Sequence, residues 1–122
     1  MELISKQDML KNQRDKEIVH KTALQVIKDF SAFGFDISFP DDLTMAYDDL
    51  FDQLTLAVKD LLDQNASKLF SLLYTIDISE AAVSKGLKEM ETLPAHDAIT
   101  HLILERELKK VLTREYFKHR NP

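Results

Sequence analysis

The sequence predicts an all-α protein, a single-domain bundle of four to five helices over residues 1–122, up-and-down or irregular, with 1–4 and 119–122 expected to fray. Three observations carry this. Apolar residues recur at three- and four-residue spacing along most of the chain, the pattern of one buried helical face. Only two glycines and three prolines interrupt the 122 residues. Period-two alternation, the mark of a half-buried strand, is confined to residues 33–39.

The first helix is carried by Val19, Ala23, Val26, Ile27, Phe30 and Phe33, and Gly34 is placed to supply the left-handed residue of its C-cap. Ser5 followed by Asp8 starts either this helix or a short one before it. In FGFDISFP the apolar residues fall at 33, 35, 37 and 39. A lone strand has no ladder partner, so the expected outcome is an extended loop that lays Phe35, Ile37 and Phe39 over the end of the core. A strand, if one formed, would pair with its copy in a second chain.

The clearest helix follows. Leu43, Leu50, Leu54, Val58 and Leu61 stand on one face and the aspartates largely on the other, with Asp41 or Asp42 suited to the N-cap. Leu56 is apolar on the polar face. A third helix, about 66–75, is expected to bury Leu69, Phe70, Leu72, Leu73 and Ile76. Asp77 and Glu80 match a D-x-x-E capping box, opening a fourth helix through about Met90 in which Ala81, Ala82 and Gly86 allow a neighbour to approach closely. After a break at 92–94, the last helix, about 95–118, presents Ala98, Ile99, Leu102 and Ile103 in one direction and Leu104, Leu108, Val111 and Leu112 in another. A helix whose apolar side rotates along its length contacts several partners, which suits the centre of a bundle.

With 44% hydrophobic and 30% charged residues, the composition is that of a packed globular chain. The absence of cysteine excludes disulfide frameworks, thiolate catalysis and cysteine-ligated metal centres, and suits a reducing compartment. No segment approaches the roughly 20 apolar residues that span a bilayer, and the chain opens without the apolar run of a signal peptide. A cytoplasmic protein with no membrane attachment is expected. The formal charge is −5, unevenly spread. From Asp36 to Asp63 eight aspartates face Lys59 alone, giving −7; from Glu105 to Arg120 six basic residues against three glutamates give +3. The two segments should attract, within one bundle or between two chains.

In HDAITHLILERELKK, residues 96–110, Asp97, His101 and Glu105 recur every four residues. With Glu17 and His20, which have the E-x-x-H spacing of di-iron bundles, they would make a five-ligand metal set if the first and last helices were neighbours. A single E-x-x-H is half of what such a centre needs, and real sites converge from several elements with supporting outer contacts. The competing expectation is a solvated face on which Asp97 and Glu105 flank His101 and Glu105 reaches Lys109.

Residues 69–90, LFSLLYTIDISEAAVSKGLKEM, carry a pattern like a helix-turn-helix. Only Lys85 and Lys88 serve phosphate there, so nucleic acid is disfavoured. No nucleophile elbow, phosphate loop or H-E-x-x-H occurs, so the chain is expected not to be an enzyme and to need no cofactor. The function the sequence favours is protein–protein interaction, self-association first, with Phe35, Ile37, Phe39, Arg106, Lys110 and Arg114 as interaction residues. A carboxylate/histidine metal-binding bundle and a DNA-binding regulator are the alternatives.

Overall fold

The computed structural model describes residues 16–38 and 43–120, with side chains for 17–38 and 48–118. It is an all-α single-domain bundle of α1 (Lys16–Ser31), α2 (Leu43–Gln64), α3 (Ala66–Ile76), α4 (Glu80–Glu89) and α5 (Ala95–Arg120). The expected helix start at Ser5 and Asp8, the N-cap at Asp41 or Asp42, and Phe39 lie outside the described residues.

The last helix is the axis: α1, α2, α3 and α4 all pack against α5. Ala98, Ile99, Leu102, Ile103 and Leu104 of its first half are buried, and Thr100 among them is fully enclosed. Thr100 meets its own polar requirement by donating its hydroxyl to the His96 carbonyl at 2.7 Å, the usual solution for a buried helical threonine. The buried aliphatic residues of this half share one contiguous core with Leu50, Leu54 and Val58 of α2, Leu69, Leu72, Leu73 and Ile76 of α3, and Val26 and Phe30 of α1. Phe70 and Leu112, both expected inside, are partly exposed, because each sits at the edge of its helix's apolar arc. Among the described residues no helix is long and apolar enough to cross a membrane.

Two helices end in the same way. Gly34 takes the left-handed conformation at φ 88°, the Gly34 amide donates to the Ser31 carbonyl and the Phe35 amide to the Phe30 carbonyl. This is a Schellman motif, and its usual apolar contact is made by the Phe30 and Phe35 rings, edge to face at 6.2 Å. At the end of α3 the left-handed residue is Asp77, φ 72°, with the Ile78 amide donating to the Leu73 carbonyl at 2.8 Å. Asp77 therefore closes α3 and does not open α4. The N-cap of α4 is Ser79, whose hydroxyl accepts from the Ala82 amide at 3.1 Å, which corrects the expected D-x-x-E box. A short polar side chain tolerates the left-handed region, and Arg106 holds the freed carboxylate at 2.8 Å.

Residues 35–38 form no strand. Their backbone is satisfied by a side chain: the Gln53 amide of α2 accepts from the Ser38 N–H at 2.9 Å and donates to the Ser38 carbonyl at 2.8 Å. This clasp supplies what a ladder partner would have supplied.

Gly86 faces α5 so closely that a Cβ would stand 2.7 Å from Leu102 Cδ1 and 3.2 Å from its Cγ. Alanine at a mid-helix glycine normally gains about 1 kcal/mol. Here overpacking against a buried leucine costs about 1–3 kcal/mol, so Gly86→Ala should destabilise on balance. Urea unfolding reads the difference, and a variant more stable than the parent would show that the α4–α5 contact yields freely.

Candidate functional site

The expected metal ligands are not brought together. α1 and α5 run antiparallel, with Lys21 at Glu115, Gln25 at Arg114 and Asp29 at Glu107. Glu17 and His20 consequently lie beside the last turns of α5. Glu105 sits ten residues before Glu115, about 15 Å along the helix at 1.5 Å per residue, and Asp97 lies further still. Among the described residues no group of three or more histidine, aspartate or glutamate side chains is gathered for a metal ion.

The stripe of Asp97, His101 and Glu105 is nevertheless not a solvated face, as the simpler expectation had it. All three are half-buried in or beside the α2–α5 contact. Asp97 accepts from the Thr55 hydroxyl at 2.7 Å, the His101 ring lies 4.8 Å from that of Phe51, and Glu105 takes Lys109 at 2.8 Å. Every-fourth-residue polar spacing here marks a seam between two helices.

The interaction candidates divide. Phe35 is occupied in the α1 cap, with Lys68 Nζ 5.7 Å from its ring centre, and Ile37 is part of the core. Neither offers a free surface. Arg106, Lys110 and Arg114 do come together. With Gln25 and Thr113 they line an open hollow of about 380 Å³. A second hollow of about 400 Å³ adjoins it, lined by Lys21, Leu24, Gln25, Lys28, Arg114, Glu115 and Lys118. Gln25 and Arg114 are common to both, so the two make one groove along α1 and α5, lined among the described residues by six cations and one carboxylate.

Beneath the groove lies a feature that the sequence reading missed. Glu107 is 0% exposed and Asp29 8% exposed, and they face one another across the α1–α5 seam. In this geometry Asp29 Oδ2 and both Glu107 oxygens lack a hydrogen-bond donor, with the Lys110 ammonium the nearest cation to Glu107 at 3.5 Å. A proton on Glu107 provides one. Burial first, then Asp29, pushes the Glu107 carboxyl up to about 8, with Lys110 opposing, as expected when two carboxyls share a site away from water. The pair is connected outward on both sides. Gln25 donates to Asp29 at 3.1 Å and accepts from Arg114 at 3.2 Å, while Lys110 Nζ stands 3.5 Å from Glu107 Oε1. The signal for Glu107 was present in the sequence: it falls between Ile103 and Val111 at four-residue steps, a glutamate inside an apolar stripe.

The helix-turn-helix pattern finds no such support, since α3 and α4 pack on α5 more than on one another. Comparison with known proteins gives no match: no family model fits the sequence, and no curated protein or solved structure is significantly similar to it.

A carboxyl raised by folding makes stability pH-dependent. Unfolded, Glu107 ionises near its ordinary 4.5; folded, it holds its proton to about 8. Its contribution is complete below about pH 4.5 and is lost as pH rises to about 8, at up to about 1.4 kcal/mol per pH unit. Glu107→Gln should match the wild type near pH 5 and exceed it at pH 8.5 in urea midpoint. A difference that stays constant across this range would mean that Glu107 ionises normally in the folded protein.

Proposed function

We propose that the protein is an interaction module that self-associates through charge, the acidic outer face of α2 in one copy lying in the α1–α5 groove of the next. One observation carries this reading: the two charged faces are separate surfaces, the acidic one on α2 and the cationic groove lined by residues of α1 and α5. On α2, Asp49, Asp52, Asp60 and Asp63 are exposed around Leu56, which is 63% exposed, while Leu50, Leu54, Val58 and Leu61 face the core. On α5, Arg106 and Lys110 lie roughly 180° around the helix from Asp97 and His101, which meet α2. The groove cations take partners on their own side: Lys21 pairs with Glu17 and Glu115, Arg106 with Asp77, Lys110 with Glu107.

Leu56 gives the acidic face an apolar centre, and Leu24, 50% exposed, gives the groove one. Complementary charge around a small apolar contact is the composition of a non-obligate interface. Because the acidic face and the groove are different surfaces, the contact sets α2 of one copy in the groove of the next, a heterologous interface. The role is binding and not catalysis. Among the described residues the one strongly perturbed carboxyl, Glu107, is sealed from any substrate, and general acid–base chemistry needs a group within hydrogen-bond reach of the reacting atoms. We place this role in the cytoplasm, a setting that suits a chain without cysteine.

At low salt, light scattering should show a mass that rises with concentration above 14.1 kDa. It should return to the monomer in about 1 M salt, where the screening length is about 3 Å. Asp52→Lys with Asp63→Lys, and separately Arg114→Glu with Lys118→Glu, should each be monomeric. A mixture of the two should associate, because each retains one intact face and the reversed faces are themselves opposite in charge. A wild type that stays monomeric at low salt, or variants that associate as it does, would refute the reading.

A further inference from the structure

That reading leaves the buried carboxyl pair without a role. We propose that Asp29 and Glu107 form a proton-operated control on the groove, acting through Lys110. With Glu107 ionised, Lys110 is held against it. With Glu107 protonated, Lys110 turns to the carboxylates of an acidic protein partner. This rests on the groove being a binding surface, whichever acidic chain fills it.

Lys110 is placed for both tasks. Its Nζ stands 3.5 Å from Glu107 Oε1, and the same side chain lines the groove. Glu107 is closed to solvent, so a bound partner cannot touch it and feels it only through the lysine. On the other side of the pair, Gln25 spans Asp29 and Arg114, which ties a second groove cation to the same unit. From α1 the charged group acting on Glu107 is Asp29, and from α5 it is Lys110. Further along the seam α1 contributes Lys21, paired with Glu115, and the α3–α4 connection contributes Asp77, paired with Arg106.

The direction follows from linkage. Lys110 is the influence that favours ionised Glu107. A partner that draws Lys110 away raises the hold of Glu107 on its proton, so binding takes up a proton and tightens as pH falls. Since Glu107 is pushed up to about 8, the change falls between neutral and mildly alkaline pH.

The test uses a fluorescent poly-glutamate peptide, whose side chains, with pKa about 4.3, stay ionised throughout this range. Its binding to the full chain is measured at pH 7 and pH 9, with calorimetry in two buffers of different ionisation enthalpy to count protons. The wild type should bind about fivefold more tightly at pH 7 than at pH 9, which is what a one-unit rise of the Glu107 pKa from about 8 gives over that interval, and should take up protons. Glu107→Gln, checked for helicity by circular dichroism, should bind equally at both pH values without proton uptake. Asp29→Asn should move the transition to lower pH. Binding that is flat with pH in the wild type, or a pH dependence that survives in Glu107→Gln, would overturn the proposal while leaving the groove intact. No peptide binding at either pH would remove the groove reading and this control with it. Proton-linked peptide binding by a chain that never self-associates would support the control and exclude only the second copy as partner.

Discussion

Among the described residues four helices share α5 as their common packing partner, and from this constraint the rest of the arrangement follows. A surface helix needs an apolar stripe about 100° wide; a helix packed on all sides needs apolar residues all round. The first half of α5 meets that demand with five buried aliphatic residues and an internally bonded threonine. The tight approach of α4 at Gly86 and the single-residue turn at Asn65 between α2 and α3 both serve to bring short helices onto that axis. Beyond about Leu108 the wrapping thins. Leu112, Tyr116 and Phe117 are exposed, and α5 turns from core element to charged surface.

The Asp29–Glu107 pair stands near that transition, and its energetics differ from those of the core around it. Burying a carboxylate without a donor is costly, and a protein meets the cost by neutralising the group. A neutral glutamic acid beside a carboxylate is a hydrogen-bonded pair; two carboxylates in the same seam repel. Packing alone does not call for such an arrangement, since apolar residues of similar volume would fill the space at equal or greater stability. Its physical effect is to make the α1–α5 contact, and the cations lying over it, sensitive to one proton.

Much of this was legible in the sequence, and the failures have particular causes. The helices and the central place of α5 follow from periodicity, which is a one-dimensional record of burial. Asp77 was misread because a D-x-x-E spacing does not say whether the aspartate belongs to the helix before it or the one after; the left-handed backbone at Asp77 settles that. Phe35 and Ile37 do cover the core from an extended loop, as expected; they fail only as interaction residues, because the two devices that absorb the segment, the Schellman contact with Phe30 and the Gln53 clasp on Ser38, depend on tertiary placement. Asp97, His101 and Glu105 share one helical stripe whether it faces water, a metal or Thr55 and Phe51 on another helix. The groove was half visible: Arg106, Lys110 and Arg114 form a row on one helix, but Lys21 and Lys28 join them only once α1 is known to run antiparallel alongside.

Net charge is a poor guide to whether such faces attract. Two copies at −5 each repel when far apart, yet at physiological ionic strength the screening length is about 8 Å. The 22 residues of α2 extend over about 33 Å. Charges on the far side of a bundle of that size contribute little at contact, whereas aspartates of α2 set against Lys28, Arg114 and Lys118 would act within a few ångströms, where screening is incomplete. The balance is decided locally, by which faces meet. Because one groove cation, Lys110, is shared with a carboxyl that burial and Asp29 push up to about 8, the local balance is open to pH.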